Sequence, residues 1–385
     1  MSTIQSLWQS IETQYNNGSL SDEQLEKIDS LVLSDDIEDI RNGLMLLTSI
    51  AVEYLCRYLK LDGESVILRD ADRFSAPSLT ERVLVRSAKS ALMWQELYDS
   101  RAFGTMEFRA LGDVKIENLS ESEKEFCVRM AKELVRVPAG KFMMGALEDD
   151  EDARPDEYPR HQVTLTKDFM VMKYPVTQAL WEHVMGNNPS EFYGANRPVE
   201  TVTWFDCILF CNKFSELEGF ELVYTINGDD VTCNRSAKGY RLLTEAEWEY
   251  SARGGEYHKY AGSDNIDEVA WYGEDWDEGA THPVGLKKPN GFGLYDMSGN
   301  VNEWGWDRME YDQDKSALVG DSVYSHDPVT DPFGSDVGLG CVVRAGCWGN
   351  DPDTVRTSYR HCNGRGGLNP LKKGRALGFR VVRSL

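Results

Sequence analysis

The chain has 385 residues, of which 41% are hydrophobic and 11% aromatic, and it carries a formal charge of −23. This length predicts two domains, and the composition excludes global disorder. The acidic surplus repels phosphate backbones, so general nucleic-acid binding through net charge is excluded.

No membrane span is expected, because the longest apolar stretch, around residues 43–52, is too short to cross a bilayer. The opening MSTIQSLWQS lacks the basic and apolar regions of a secretory signal. Eight cysteines without dense spacing suit reduced thiols, so a soluble cytoplasmic protein is the expectation.

Helices come first along the chain. Ser21 and Gln24 form a capping box ahead of Leu25, Ile28 and Leu31. From Asp36 to about Leu61, apolar residues recur every three to four positions, the period of an amphipathic helix. A third helix is predicted from Leu79 to Tyr98, and Ser120 with Glu123 caps another before FCVRMAKEL. Residues 1–134 hold 5 of the 33 glycines and 1 of the 13 prolines, so a helical domain is predicted over 1–134 and a different architecture over 135–385. These first helices carry no catalytic constellation, and a structural role or docking to a partner protein is their expected use.

From Leu134 the pattern changes. LVRVPAGKFMMG reads as two strands around a turn. Thr177 and Thr203 are placed to cap helices, the second ending near Gly219. Thr244 with Glu247 forms a capping box that opens LTEAEWEYSAR, and Gly254 stops it. Beyond that point Gly, Asn, Asp and aromatics dominate in short pieces, which predicts a loop-rich fold held by buried Trp and Tyr.

Charge is also uneven. Residues 1–134 have 15 basic and 24 acidic residues, residues 135–343 have 17 and 38, and residues 344–385 have 9 and 2. The last stretch is a basic island on an acidic body. The acidic loop ALEDDEDARPDEYPR is expected to be a solvated face rather than a metal site.

The stretches LVRVPAGKFMMG, HQVTLTKDFMVMKYPVTQALWEHVMG, YRLLTEAEWEYSARGG, PNGFGLYDMSGNVNEW, RAGCW and LGFRVV stand in one order over about 250 residues. In these motifs the chain resembles the formylglycine-generating enzyme (sulfatase-modifying factor) family. The resemblance implies an α+β, loop-rich, C-type-lectin-like domain, here preceded by a small all-α domain. Catalytic members use a copper-binding cysteine pair whose positions fall near Asn350 and Val355. Neither is cysteine here, so formylglycine generation, and copper with it, is not expected. The iron-dependent sulfoxide synthases of this family use a three-histidine motif in an N-terminal bundle. All six histidines here (161, 183, 258, 282, 326 and 361) lie after residue 134, so iron is not expected either. Cys207 and Cys211 lie one turn apart on a predicted helix rich in core residues, and the core reading is preferred for them.

The family resemblance also implies a structural Ca²⁺ site at Asp296 and Glu303, with backbone carbonyls of Gly299 and Val301. Hard oxygen ligands of this kind suit calcium. Non-catalytic relatives, among them the variable proteins of diversity-generating retroelements, end in a tract with kept framework residues and diversified slots. Residues 344–385 match that pattern, with Arg344, Gly346, Trp348, Val355, Arg356, Ser358 and Arg360 as framework. Gly349, Asn350, Asp351, Asp353, Thr354, Tyr359, His361 and Asn363 are the expected exposed, ligand-facing slots, and Trp348 of the framework is counted with them as a ligand-binding residue. The framework arginines are expected to pair with domain carboxylates, and the remaining positive charge to favour an acidic ligand. The function expected is non-catalytic binding of a protein or other macromolecular ligand through the C-terminal surface. The alternative is an oxidoreductase of the same fold with a non-standard metal or thiol site at Cys347 or Cys362.

Overall fold

A computed structural model describes residue 108 and residues 111–309, 327–334, 340–360 and 368–385. The three helices expected before Ser120 therefore lie outside the described residues, as do His361, Cys362 and Asn363. The unit that contains the described residues runs from Thr105 to Leu385.

Each major helix begins where its capping side chain stands. Ser120 and Glu123 close a reciprocal capping box on α1 (Glu121–Ala131). The Thr177 hydroxyl accepts from Leu180 N at the start of α2 (Gln178–Met185). Thr203 with Asp206 boxes α3 (Trp204–Leu217), and Thr244 with Glu247 boxes α4 (Glu245–Arg253). A short fifth helix, α5, spans Ile266–Val269.

Among the described residues the strands make three small sheets and a hairpin. β1 (Leu134–Val137) and β2 (Gly140–Met144) flank the expected Pro-Ala-Gly turn, yet they enter different sheets. β2 pairs antiparallel with β3 (His161–Leu165), while β1 pairs antiparallel with β4 (Phe169–Met172). The hairpin is β5 (Tyr224–Asn227) and β6 (Asp230–Cys233). β7 (Tyr240–Leu242) closes the β1 sheet, and β8 (Asn302–Met309) is the centre of the third. β9 (Val329–Thr330) extends the β2 sheet, and β10 (Gly340–Arg344) lies antiparallel to β8. β11 (Leu377–Phe379) runs parallel to β8 on its other side. β12 (Val381–Ser384) sits between β4 and β7, so the end of the chain is interior to a sheet.

Aromatic residues fill the centre. Phe214 of α3 stacks on Tyr240 with centroids 4.1 Å apart, Trp181 stacks on Phe210, and Phe379 meets both Trp181 and Phe210 edge-on. Offset and edge-on contacts add to the area term for such rings. α1 shares this core through Cys127, Val128, Met130 and Ala131. α1, which lies ahead of residue 134, packs on this core and falls within the unit Thr105–Leu385.

Candidate ligand-binding surface

β10 delivers Arg344 to the interior, and the chain then turns through Ala345 and Gly346, both with positive φ. Trp348 follows, fully buried. Its indole meets Phe192 edge-on at 5.7 Å and Trp276 at 4.9 Å, and the Arg375 guanidinium lies 5.7 Å from its centre. The peptide groups on either side are paired. Trp348 N donates to Asn300 O, Glu274 N donates to Trp348 O, and Gly273 N donates to Asn350 O.

The expected ligand-facing positions divide into three groups. Asp351 is exposed, while Gly349, Asn350, Asp353 and Thr354 are half-buried. Asn350 turns inward, its Oδ1 accepting from Cys347 N at 2.9 Å. Thr354 donates through Oγ1 to the Asp351 carbonyl across the 3-10 turn Pro352–Thr354. Asp353 accepts from Arg154 Nη2 at 3.2 Å. Tyr359 is buried, contrary to expectation, and Trp348 is buried as a framework residue, which takes it out of direct ligand contact. Trp348 serves as a packing pivot, and Tyr359 accepts from Arg154 Nη1 beneath that guanidinium. Gly349 is also constrained, since a Cβ there would lie 2.8 Å from the Trp276 ring.

The framework arginines pair inward, as expected. Arg344 donates to Glu245 and Glu249, at 2.9 and 2.8 Å, and lies over the Trp248 ring. Arg360 grips Glu245 with two 2.6 Å bonds. Arg356 grips Glu157 with bonds of 2.6 and 2.8 Å and also reaches Asp150. Arg380 pairs with Glu303 at 2.9 Å and donates to the carbonyls of Met172, Lys173 and Tyr295. Two expectations change as a result. Four of the nine basic residues from Arg344 onward are buried and neutralised, so less positive charge is left for the surface than the count along the chain implies. The acidic loop 146–160 is not simply a solvated face, because Asp156 and Glu157 are buried and the loop clamps Arg356.

The cation-site residues fit only in part. Asp296 is buried and takes neutral donors, Gly285 N at 2.8 Å and Asn300 Nδ2 at 3.4 Å. Burial pushes its carboxyl up to about 6. Glu303 does not fit, because Arg380 already neutralises it and Trp248 Nε1 donates to its other oxygen at 2.7 Å. Gly299 and Val301 stand on the turn between the two carboxylates. Among the described residues no group of three or more His, Cys, Asp or Glu is disposed to hold a metal.

The thiols are equally informative. Cys207 and Cys211 are fully buried, and burial drives both thiols up. Cys347, beside the expected catalytic positions, is buried and pushed up to about 12. Such thiols are protonated at neutral pH and are poor nucleophiles and poor metal ligands.

The model of the sulfatase-modifying factor enzyme 1-like domain matches residues 120–385. The chain belongs to that family. Its C-type-lectin-like fold follows, and the match starts at Ser120, the cap of α1. This family member is similar to the chaperone protein LppX of Paenibacillus barcinonensis, with 40% identity over 261 residues that cover 59% of this chain and 84% of that protein. It is similar to the formylglycine-generating enzyme of Mycobacterium tuberculosis, with 31% identity over 226 residues, 46% of this chain and 74% of that enzyme. Among solved structures it is similar to Treponema denticola variable protein 1, with a TM-score of 0.55 and 32% identity over 66% of this chain and 95% of that one. No helix among the described residues is long and apolar enough to cross a membrane.

Trp276 and Arg154 were not singled out from the sequence. The signal for Trp276 was the run GEDWDEG, one indole amid four carboxylates. Arg154 carried no comparable signal, since its partners Asp353 and Tyr359 lie about two hundred residues further along.

Proposed function

We propose that this sulfatase-modifying factor relative is a non-catalytic ligand-binding protein whose recognition surface lies along residues 349–354. One observation carries this reading. The segment reaches the surface between two buried anchors, Trp348 and the Val355–Arg356 pair, so a rigid scaffold presents a short irregular stretch of backbone to solvent. Similarity to a variable protein and to a protein named as a chaperone supports recognition of a macromolecule. Asn350 and Val355 at the expected catalytic positions, with the neighbouring Cys347 buried and protonated, support the absence of thiol chemistry.

The test uses a phage-displayed random peptide library selected on the full chain. Clones enriched on the wild type are expected to lose about tenfold or more of their affinity for the double variant Asp351→Ala/Asp353→Ala, with its melting temperature unchanged. Undiminished binding by that variant would remove residues 349–354 from the site. Near-stoichiometric copper or iron in the purified protein, lost in Cys347→Ser, would instead support the oxidoreductase reading.

Calcium belongs to the same proposal, with Asp296 and the Gly299 and Val301 carbonyls as its ligands and without Glu303. Millimolar calcium should then raise the melting temperature of the wild type and leave Asp296→Asn unmoved, since an ion that binds only the folded state stabilises it by mass action. An equal response from both proteins, or none from either, would eliminate that site.

A further inference from the structure

Trp276 stands between Glu274–Asp275 and Asp277–Glu278, and its indole is 45% exposed. It is nevertheless held firmly from within. Its ring lies against Trp348 and over Gly349, and its carbonyl accepts from Arg375 Nη2. The loop that carries it is bonded to the C-terminal segment through Gly273 N to Asn350 O at 2.8 Å and Glu274 N to Trp348 O at 3.0 Å. At the loop's base Glu274 pairs with His282, whose ring stacks on Trp271 at 3.8 Å. Beneath Trp276, the buried Trp348 Nε1 has no acceptor among the described residues. A large aromatic ring that is half exposed and already immobilised loses little entropy on binding, which is why such residues dominate interface energetics.

Most of the charges around this ring are negative. Asp275, Asp277 and Glu278 are exposed, as is Asp351 on the adjoining 3-10 turn. Among the described residues none of the four takes part in a salt bridge. Arg375 places one positive charge against the Trp276 carbonyl and the Trp348 ring, so the four carboxylates outnumber it. Lys372 and Lys373 are exposed on the stretch that precedes Arg375. An indole face attracts a cation through its quadrupole, and unpaired carboxylates around it attract the same cation by simple Coulomb interaction.

We infer that the recognition surface is composite, with Trp276 as its anchor, and that its occupant is a basic peptide segment. A lysine or arginine side chain lies on the indole, and its charge is met by Asp275, Asp277, Glu278 and Asp351. This rests on the reading of residues 349–354 as the ligand surface and adds a second loop and a chemical class to it.

Two synthetic peptide sets, one rich in Lys and Arg and the other in Asp and Glu, test the inference by fluorescence polarisation against the full chain. The basic set is expected to bind, with affinity falling as salt rises. Trp276→Ala should weaken it by about tenfold or more, whereas Trp276→Phe should retain most of the affinity. The charge-neutral variant Asp275→Asn/Asp277→Asn/Glu278→Gln should weaken it while the melting temperature stays constant. Preference for the acidic set, or basic-peptide binding indifferent to Trp276→Ala, would overturn the inference. If the Asp351→Ala/Asp353→Ala variant loses peptide while Trp276→Ala does not, the C-terminal surface stands and only the anchor is lost. If neither variant loses it, both readings fail.

Discussion

Replacement of Arg356 by alanine is expected to cost about 3–5 kcal/mol of folding stability, the cost typical of breaking a buried ion pair from one side. The Arg356 and Glu157 side chains are fully buried and bonded twice, and Asp150 joins them at 2.8 Å. Arg356 also donates to the carbonyls of Asp152 and Asp353, so one guanidinium ties the acidic loop to the recognition segment. Without it the Glu157 carboxylate loses its strongest partner in a site water does not reach. Urea unfolding of the wild type, Arg356→Ala, Glu157→Gln and the double variant measures this directly. The double variant should recover part of the loss, because the stranded charge is gone. Arg136→Ala provides the contrast: its guanidinium pairs with Asp168 while well exposed, and its loss should change stability by less than about 1 kcal/mol. A change that small for Arg356→Ala would show that the clamp does not hold the segment.

Gly299→Ala should be comparably damaging, by about 3 kcal/mol or more, for a steric reason. Gly299 has φ of 78°, and a Cβ on it would lie 2.1 Å from the Trp271 carbonyl oxygen. That oxygen accepts from Asn300 N, and Gly299 N donates to Ala345 O. The turn therefore joins β10's exit to the loop that bears Trp276, and a methyl group would force the two apart. Gly293 shares the left-handed geometry, with φ of 84°, but has no atom within 4 Å of the added carbon. Gly293→Ala should cost only the conformational strain, about 1–2 kcal/mol. Thermal unfolding of the two variants separates strain from clash, and equal losses would mean that the contact with Trp271 yields easily.

Much of the local structure was legible because its causes are local. Ser120, Thr177, Thr203 and Thr244 cap helices through side chains that reach only a few residues along the chain, and Gly254 ends α4 through its own φ. The family motifs were legible in the same way, as short strings with a fixed order. The inward pairing of Arg356, Arg360 and Arg380 could also be anticipated, since arginines inside a motif that closes a sheet have few places to go except buried carboxylates. Which carboxylates they meet could not be. Glu157 and Arg356 are about two hundred residues apart, and nothing in the acidic run marks Asp156 and Glu157 as buried and Glu151 as exposed.

The sequence by itself determined the family, the helix starts and the want of a catalytic cysteine pair, because each depends on residue identity or on neighbours within a turn. Only the tertiary structure decided what the recognition segment presents. Burial belongs to the packed whole: Trp348 and Tyr359 read as ligand-facing in a polar, irregular stretch, yet they are enclosed by Phe192, Trp276 and Arg154 from distant loops. The same folding neutralised part of the basic tail, since a charge counted along the chain takes no account of the carboxylates that the fold brings against it. It also placed Trp276, a residue of an acidic loop, at the edge of the surface where binding is proposed.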